Sequence, residues 1–220
     1  GTKMNDNSKE YVKSILDSLS KLDHIKPEDF PNIDLYMDQV TTFMDTQLAS
    51  SKRYPEDKIL TKTMINNYAK NKLLPPPDKK RYSKEHLLML IFIYYFKNIL
   101  SISDIQTLMT PITEKYFQSE SDHDLTYIYE EVFHMEKSSI FALQKDVLKS
   151  YQTSEDTFPD ADPEEREFLH RFSFICRLAF DVYARKMIIE SLIDDLAKDQ
   201  TKKDPPADKK NKKNKRGIAY

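Results

Sequence analysis

Two glycines in 220 residues is the strongest constraint this chain places on its own fold. Ordinary domains carry about 7% glycine. Glycine is the residue that enters left-handed backbone without a Cβ clash, so tight hairpins and phosphate-cradling loops depend on it. Helices have no such need, and the expected class is all-α. The same shortage excludes the phosphate-binding loop of the nucleotide hydrolases and the dinucleotide fingerprint, each of which needs several glycines at fixed offsets.

At this length the chain can form one large domain or two small ones. Residues 6–22 place Tyr11, Ile15, Leu16, Leu19 and Leu22 at helical spacing, and the segment with Pro27 and Pro31 reads as a connector. Asp34 is positioned to cap a helix to about Leu48, and Thr61 to cap a short helix over Lys62–Asn71 with Met64, Ile65 and Tyr68 facing inward. Pro75, Pro76 and Pro77 force extended backbone, and Asp78–Tyr82 follows as a small flap. Ser83 caps a helix to about Asn98, and Ser101 or Ser103 caps another to about Met109. One long helix is expected from Asp124 to Tyr151, and a last one from Pro163 to about Lys198.

In that last helix Phe168, Phe172, Ile175, Ala179, Val182, Lys186, Ile189, Ile193 and Leu196 repeat at 4-3 spacing, a packed seam. Leu169, Phe174, Leu178, Phe180 and Leu192 widen it beyond a two-stranded coil. An antiparallel helical hairpin within a bundle is the expected arrangement, with the surplus apolar surface available for a homodimer. Beyond residue 198 the Lys/Asn/Pro/Asp composition cannot bury a core, so a disordered basic tail is expected. The expected division is 1–30 for an N-terminal helix and connector, 31–111 for a first domain, 112–198 for the hairpin and 199–220 for the tail.

The net charge of −2 conceals an asymmetry. Residues 52–86 hold ten Lys/Arg against four acids, whereas residues 87–198 hold eleven against twenty. A basic island in an acidic body is the footprint of a polyanion contact. Cys176 is the sole cysteine, which rules out a disulfide framework, and its apolar run F-S-F-I-C-R-L-A-F suggests a buried small hydrophobe. The N-terminal residues lack the apolar stretch of a signal peptide, and the run Leu87–Tyr95 is well short of the ~18 residues a membrane span needs. A cytoplasmic protein is expected, with no membrane partner.

The island coincides with a motif. L-T-K-T-M-I-N-N-Y-A-K-N-K-L-L-P-P-P-D-K-K-R-Y-S-K-E-H-L is similar to the MerR-like winged helix-turn-helix, with Tyr68, Leu73, Leu74, Pro76, Tyr82 and Ser83 at the positions of that pattern. Asn66 stands where the pattern usually has arginine, and Lys72 where it has glycine. The wider stretch from L-Y-M-D-Q-V-T-T-F-M to S-I-S-D-I-Q-T-L-M, within about residues 30–110, resembles the bacterial family of domain of unknown function 1836. The resemblance implies a winged helix-turn-helix with a minimal wing, followed by the helical hairpin, and a transcription regulator that binds duplex DNA without covalent chemistry.

Lys62, Thr63, Asn66, Asn67 and Lys70 form the outer side of the short helix. Asparagine can pair bidentately with adenine and lysine can reach guanine or phosphate. Lys79, Lys80, Arg81 and Tyr82 in the flap suit phosphate or minor-groove contact. No catalytic residue, metal or cofactor is expected. Two rivals remain. Glu131 with His134 and Glu167 with His170 match a carboxylate–histidine metal spacing, but in a hairpin turning near residue 157 they lie roughly 20 Å apart along the axes. The other rival is a non-catalytic helical protein-interaction module.

Overall fold

The computed structural model describes residues 6–20, 25–134 and 136–203. Its centre is α4 (Lys84–Lys97), whose sequence KEHLLMLIFIYYFK is apolar on every side. A helix of that kind must be surrounded. Every side chain from Leu87 to Ile93 is buried, and Ser83 caps the helix by accepting from the His86 N–H at 3.4 Å. Around it pack α2 (Met37–Gln47), α3 (Lys62–Lys70), α5 (Ile102–Tyr116) and α6 (Leu125–His134). Tyr129 of α6 is wholly buried, edge-on to Phe30 and Phe92, and its hydroxyl donates to the Ile25 carbonyl at 2.5 Å. The buried cluster runs from Ile25 to Tyr129 and takes only Ile193 from elsewhere. At about 1.5–3 kcal/mol per fully buried large apolar side chain, this cluster dominates the stability of the chain.

The all-α expectation holds in the main, with one local exception. Asp34 does not cap α2. Leu35–Tyr36 forms β1, antiparallel to β2 (Arg81–Tyr82), and α2 starts two residues later than a cap at Asp34 would allow. Leu35 and Tyr82 face the core while Tyr36 and Arg81 face out, the alternation of a strand pair with one wet side. Asp78 and Arg81 exchange backbone hydrogen bonds of 3.0 and 2.8 Å across a two-residue turn, Lys79–Lys80. Both lysines have positive φ, 49° and 64°, which makes the turn type I′. The glycine-poor chain therefore does build a tight hairpin, with lysines in the left-handed region.

A second body of packing joins α1 (Asp6–Ser20), α7 (Glu136–Glu155) and α8 (Pro163–Lys203). The helix expected over Asp124–Tyr151 is helical over α6 and α7 and runs on to Glu155, with residue 135 between them outside the described residues. The α5 helix passes the expected stop at Met109 and runs through Pro111, so a domain limit at 111 falls inside it. Proline cannot donate to the carbonyl four residues back, here that of Thr107. Gln200 of α8 replaces that donor, its Nε2 giving a 3.0 Å hydrogen bond to Thr107 O.

The α8 helix extends to Lys203, so residues 199–203 are helical, contrary to the expected tail; the rest of that tail lies outside the described residues, as do Lys21 and Leu22 of the first expected helix. The 4-3 seam of α8 is only half used. Ile193 is buried and Ile189 packs against the core, whereas Phe168, Phe172, Ile175 and Val182 are exposed. Phe174 is the residue buried in that half. Cys176 is exposed rather than buried, because its run turns Phe174 inward and Ile175, Cys176 and Phe180 outward.

Candidate nucleic-acid interface

The α3 helix begins where Thr61 Oγ1 accepts from the Met64 N–H at 3.2 Å. Ile65 and Tyr68 are buried and Met64 is half-buried against the core, which leaves the other side free. Lys62, Thr63, Asn66, Asn67 and Lys70 are all exposed. At 100° per residue they occupy an arc of roughly 140°, a single polar face. Lys62 pairs with Asp38 at the start of α2.

The helix ends in a Schellman motif. The Leu73 N–H reaches Tyr68 O at 2.8 Å, the Lys72 N–H reaches Ala69 O at 3.1 Å, and Lys72 has φ 59°. The position at which the MerR-like pattern has glycine is thus left-handed here too, with lysine in it. Gln106 of α5 donates to Asn71 O at 2.6 Å, fixing the end of α3 from outside.

At the tip of the hairpin Lys79, Lys80 and Arg81 are exposed. Tyr82 does not join them. It is 4% exposed, paired through β2 with Leu35 and set edge-on to the His86 ring at 5.5 Å, which leaves its ring no outer surface.

His86 supports the whole flap. Its Nδ1 accepts from the Ser83 N–H at 3.0 Å and its Nε2 donates to Pro76 O at 3.1 Å, which fixes the neutral tautomer with the proton on Nε2. The ring lies between Tyr82 and Phe117. Burial, the largest influence, holds its pKa below the ordinary histidine value, against smaller upward pulls from the Pro76 and Pro75 carbonyls and Asp34.

Lys97 plays the matching part on the other side of α3. Its Nζ donates to Ile59 O at 3.3 Å, approaches Met64 Sδ at 3.6 Å, and stands 5.3 Å from the Tyr94 ring centre. Burial lowers its pKa. Tyr94 in turn hydrogen-bonds Ser51 at 2.7 Å, and Lys52 pairs with Asp45 at 2.9 Å. The long segment between α2 and α3 is therefore anchored to α4 and presents α3 from a rigid base. Sequence reasoning passed over both His86 and Lys97. A histidine or lysine at the edge of an apolar helix was the available signal, but their partners are 10 and 38 residues away.

The proposed metal pairs are not brought together with further ligands: no group of three or more His, Cys, Asp or Glu side chains able to hold a metal occurs among the described residues. His170 donates to Thr157 O at 2.8 Å. No described helix is long and apolar enough to cross a membrane.

All of the main core except Ile193 lies between residues 25 and 132, a unit that carries α2 to α6, the polar face of α3 and the hairpin. Residues 25–132 match the family described as Domain of unknown function (DUF1836). No curated protein and no solved structure matches the chain. The matched region thus coincides with the buried cluster, and α1, α7 and α8 lie outside it.

Proposed function

We propose that the DUF1836 region binds duplex DNA in the manner of a MerR-like winged helix-turn-helix and that the protein acts as a transcription regulator. The polar face of α3 enters the major groove, where Asn66 and Asn67 read adenine edges and Lys62 and Lys70 reach guanine or phosphate. Lys79, Lys80 and Arg81 grip the neighbouring backbone. Tyr82 is left out of the contact set because it is part of the core.

The observation that carries this reading is the turn at Lys79–Lys80. Left-handed backbone at a residue with a Cβ costs about 1–2 kcal/mol, and a type I′ turn normally holds Asn-Gly. Two adjacent lysines at positive φ, at an exposed tip within the one basic island of the described chain, are explained by a use for their charge. The same reading accounts for the exposed half-seam of α8. Phe168, Phe172, Ile175 and Val182 continue the line whose other half packs on α5, and a second copy would cover them. A symmetric dimer would then present two α3 helices to half-sites about one helical turn apart, or a multiple of it.

Fragments of the source genome selected on the full chain at stated salt test the proposal. Enrichment of an inverted repeat is expected. Equal recovery by a variant with Lys79, Lys80 and Arg81 changed to glutamate would count against it. The exposed α8 face also favours a second reading, a helical protein-interaction module, which differs in expecting no salt-dependent binding to any duplex.

A further inference from the structure

We infer that the cleft between α1, the end of α7 and the first turns of α8 is a binding site for a small organic anion, a carboxylate or phosphate monoester on an apolar or aromatic body. The cleft has a volume of about 560 Å³, within the range of small-molecule sites. One wall is apolar: Tyr11, Tyr151 and Phe174 form a run of rings with centroid spacings of 6.2 and 5.4 Å. The other carries the guanidinium groups of Arg166 and Arg171, with His170 beside them.

Arg166 is the centre of the argument. Its Nη2 donates to the carbonyls of Ala161 at 2.6 Å and Pro159 at 3.1 Å, which locks the guanidinium in place. Its Nε is buried with no acceptor. A buried, charged donor without an acceptor is unfavourable, and a small turn of the guanidinium toward an oxyanion seated in the cleft would supply one. His170 is oriented by its bond to Thr157 O, and Arg171 lies over the Tyr11 ring at 5.5 Å. Two carboxylates also line the cleft and oppose an anion. Glu155 lies at the Tyr151 hydroxyl, and Glu167 is mostly exposed and pairs with Arg171 at 3.6 Å. One anionic group on an otherwise apolar ligand fits that balance, and a polyanion does not. Arg166, His170 and Phe174 lie on a different side of α8 from the exposed seam, and Arg171 stands at the border between the two.

The test uses the full chain without DNA, so its failure would leave the duplex reading intact. Benzoate and phenyl phosphate serve as probes and inorganic phosphate as the comparison, read by calorimetry and by the arginine Nε–H signals in a ¹⁵N-correlated NMR spectrum. Millimolar or tighter binding of an aromatic probe is expected, with one buried Nε–H signal shifting and disappearing in Arg166→Gln. Affinity should fall about tenfold or more in that variant, the worth of one charge-assisted hydrogen bond. Arg171→Gln, on an exposed residue that does not brace the turn, should weaken binding even if Arg166→Gln fails to fold. No binding of either aromatic probe, undiminished binding in Arg171→Gln, or inorganic phosphate binding as well as its phenyl ester would overturn the inference.

Discussion

Replacing Lys79–Lys80 by Asn-Gly separates what the turn costs from what its charges do. Two left-handed residues with side chains carry roughly 2–4 kcal/mol of backbone strain together. Asparagine tolerates that region better than lysine, and glycine removes its share altogether. Glycine also gives the unfolded chain more freedom, which offsets about 1 kcal/mol. The net expectation is a gain of about 1–2 kcal/mol, or some 2–8 °C in melting temperature for a chain of this size. Duplex binding should move the opposite way. Each phosphate contact contributes about 0.9 to the slope of log affinity against log salt, so losing two lowers the slope by about 1.8. Calorimetric melting and fluorescence anisotropy across a salt series give both numbers on the same sample. Lys79→Arg with Lys80→Arg is the control that keeps the charge and the strain, and it should leave the slope alone. A stabilised variant with an unchanged slope would refute the role given to these lysines. A variant that is not stabilised would refute the strain argument itself.

Three further outcomes follow from particular contacts. Burial depresses the folded pKa of His86, so the stability it contributes is present above about pH 6.5, the unfolded value, and is lost as pH falls through the folded one. Urea melts at pH 5 and 7.5 should show this loss in the parent and a smaller one in His86→Gln; the comparison removes the opposite effect of Glu85, whose carboxyl burial raises. Gln200→Ala leaves the Thr107 carbonyl above Pro111 without its donor and should lower stability by about 1 kcal/mol in the same melts, with no effect marking the bond as incidental. Phe172→Glu with Ile175→Glu should convert a species of twice the 26.0 kDa chain mass into one of that mass by light scattering, and a parent already at the single-chain mass would exclude the dimer.

Local signals in the sequence were the most legible. Thr61 and Ser83 were readable as caps, and Ser101 as one of two candidates with Ser103, because the bond each makes is to a backbone N–H three residues away. The inward positions of α3 and the burial of α4 followed from apolar spacing and density alone. What escaped the sequence depends on partners far along the chain. β1 is two residues long and exists only because Tyr82 and Arg81 lie opposite it. The α5 helix survives Pro111 with help from a residue 93 positions away from Thr107. Of the candidate contact residues, Tyr82 was misplaced because one side of a strand pair must face inward, and its register was not visible beforehand. The glycine shortage pointed to helices, yet it does not forbid left-handed backbone: Lys72, Lys79, Lys80, Gln118 and Phe158 all adopt it.

The most direct measurement of the central proposal is anisotropy of a fluorescent duplex titrated with the full chain from about 50 to 200 mM salt, beside the variant in which Lys79, Lys80 and Arg81 are all glutamate. The parent should bind with an affinity that falls steeply with salt, and the variant should keep its fold by circular dichroism and lose binding. Salt-independent or absent binding by the parent, or equal binding by the variant, would contradict the assignment of this face to DNA.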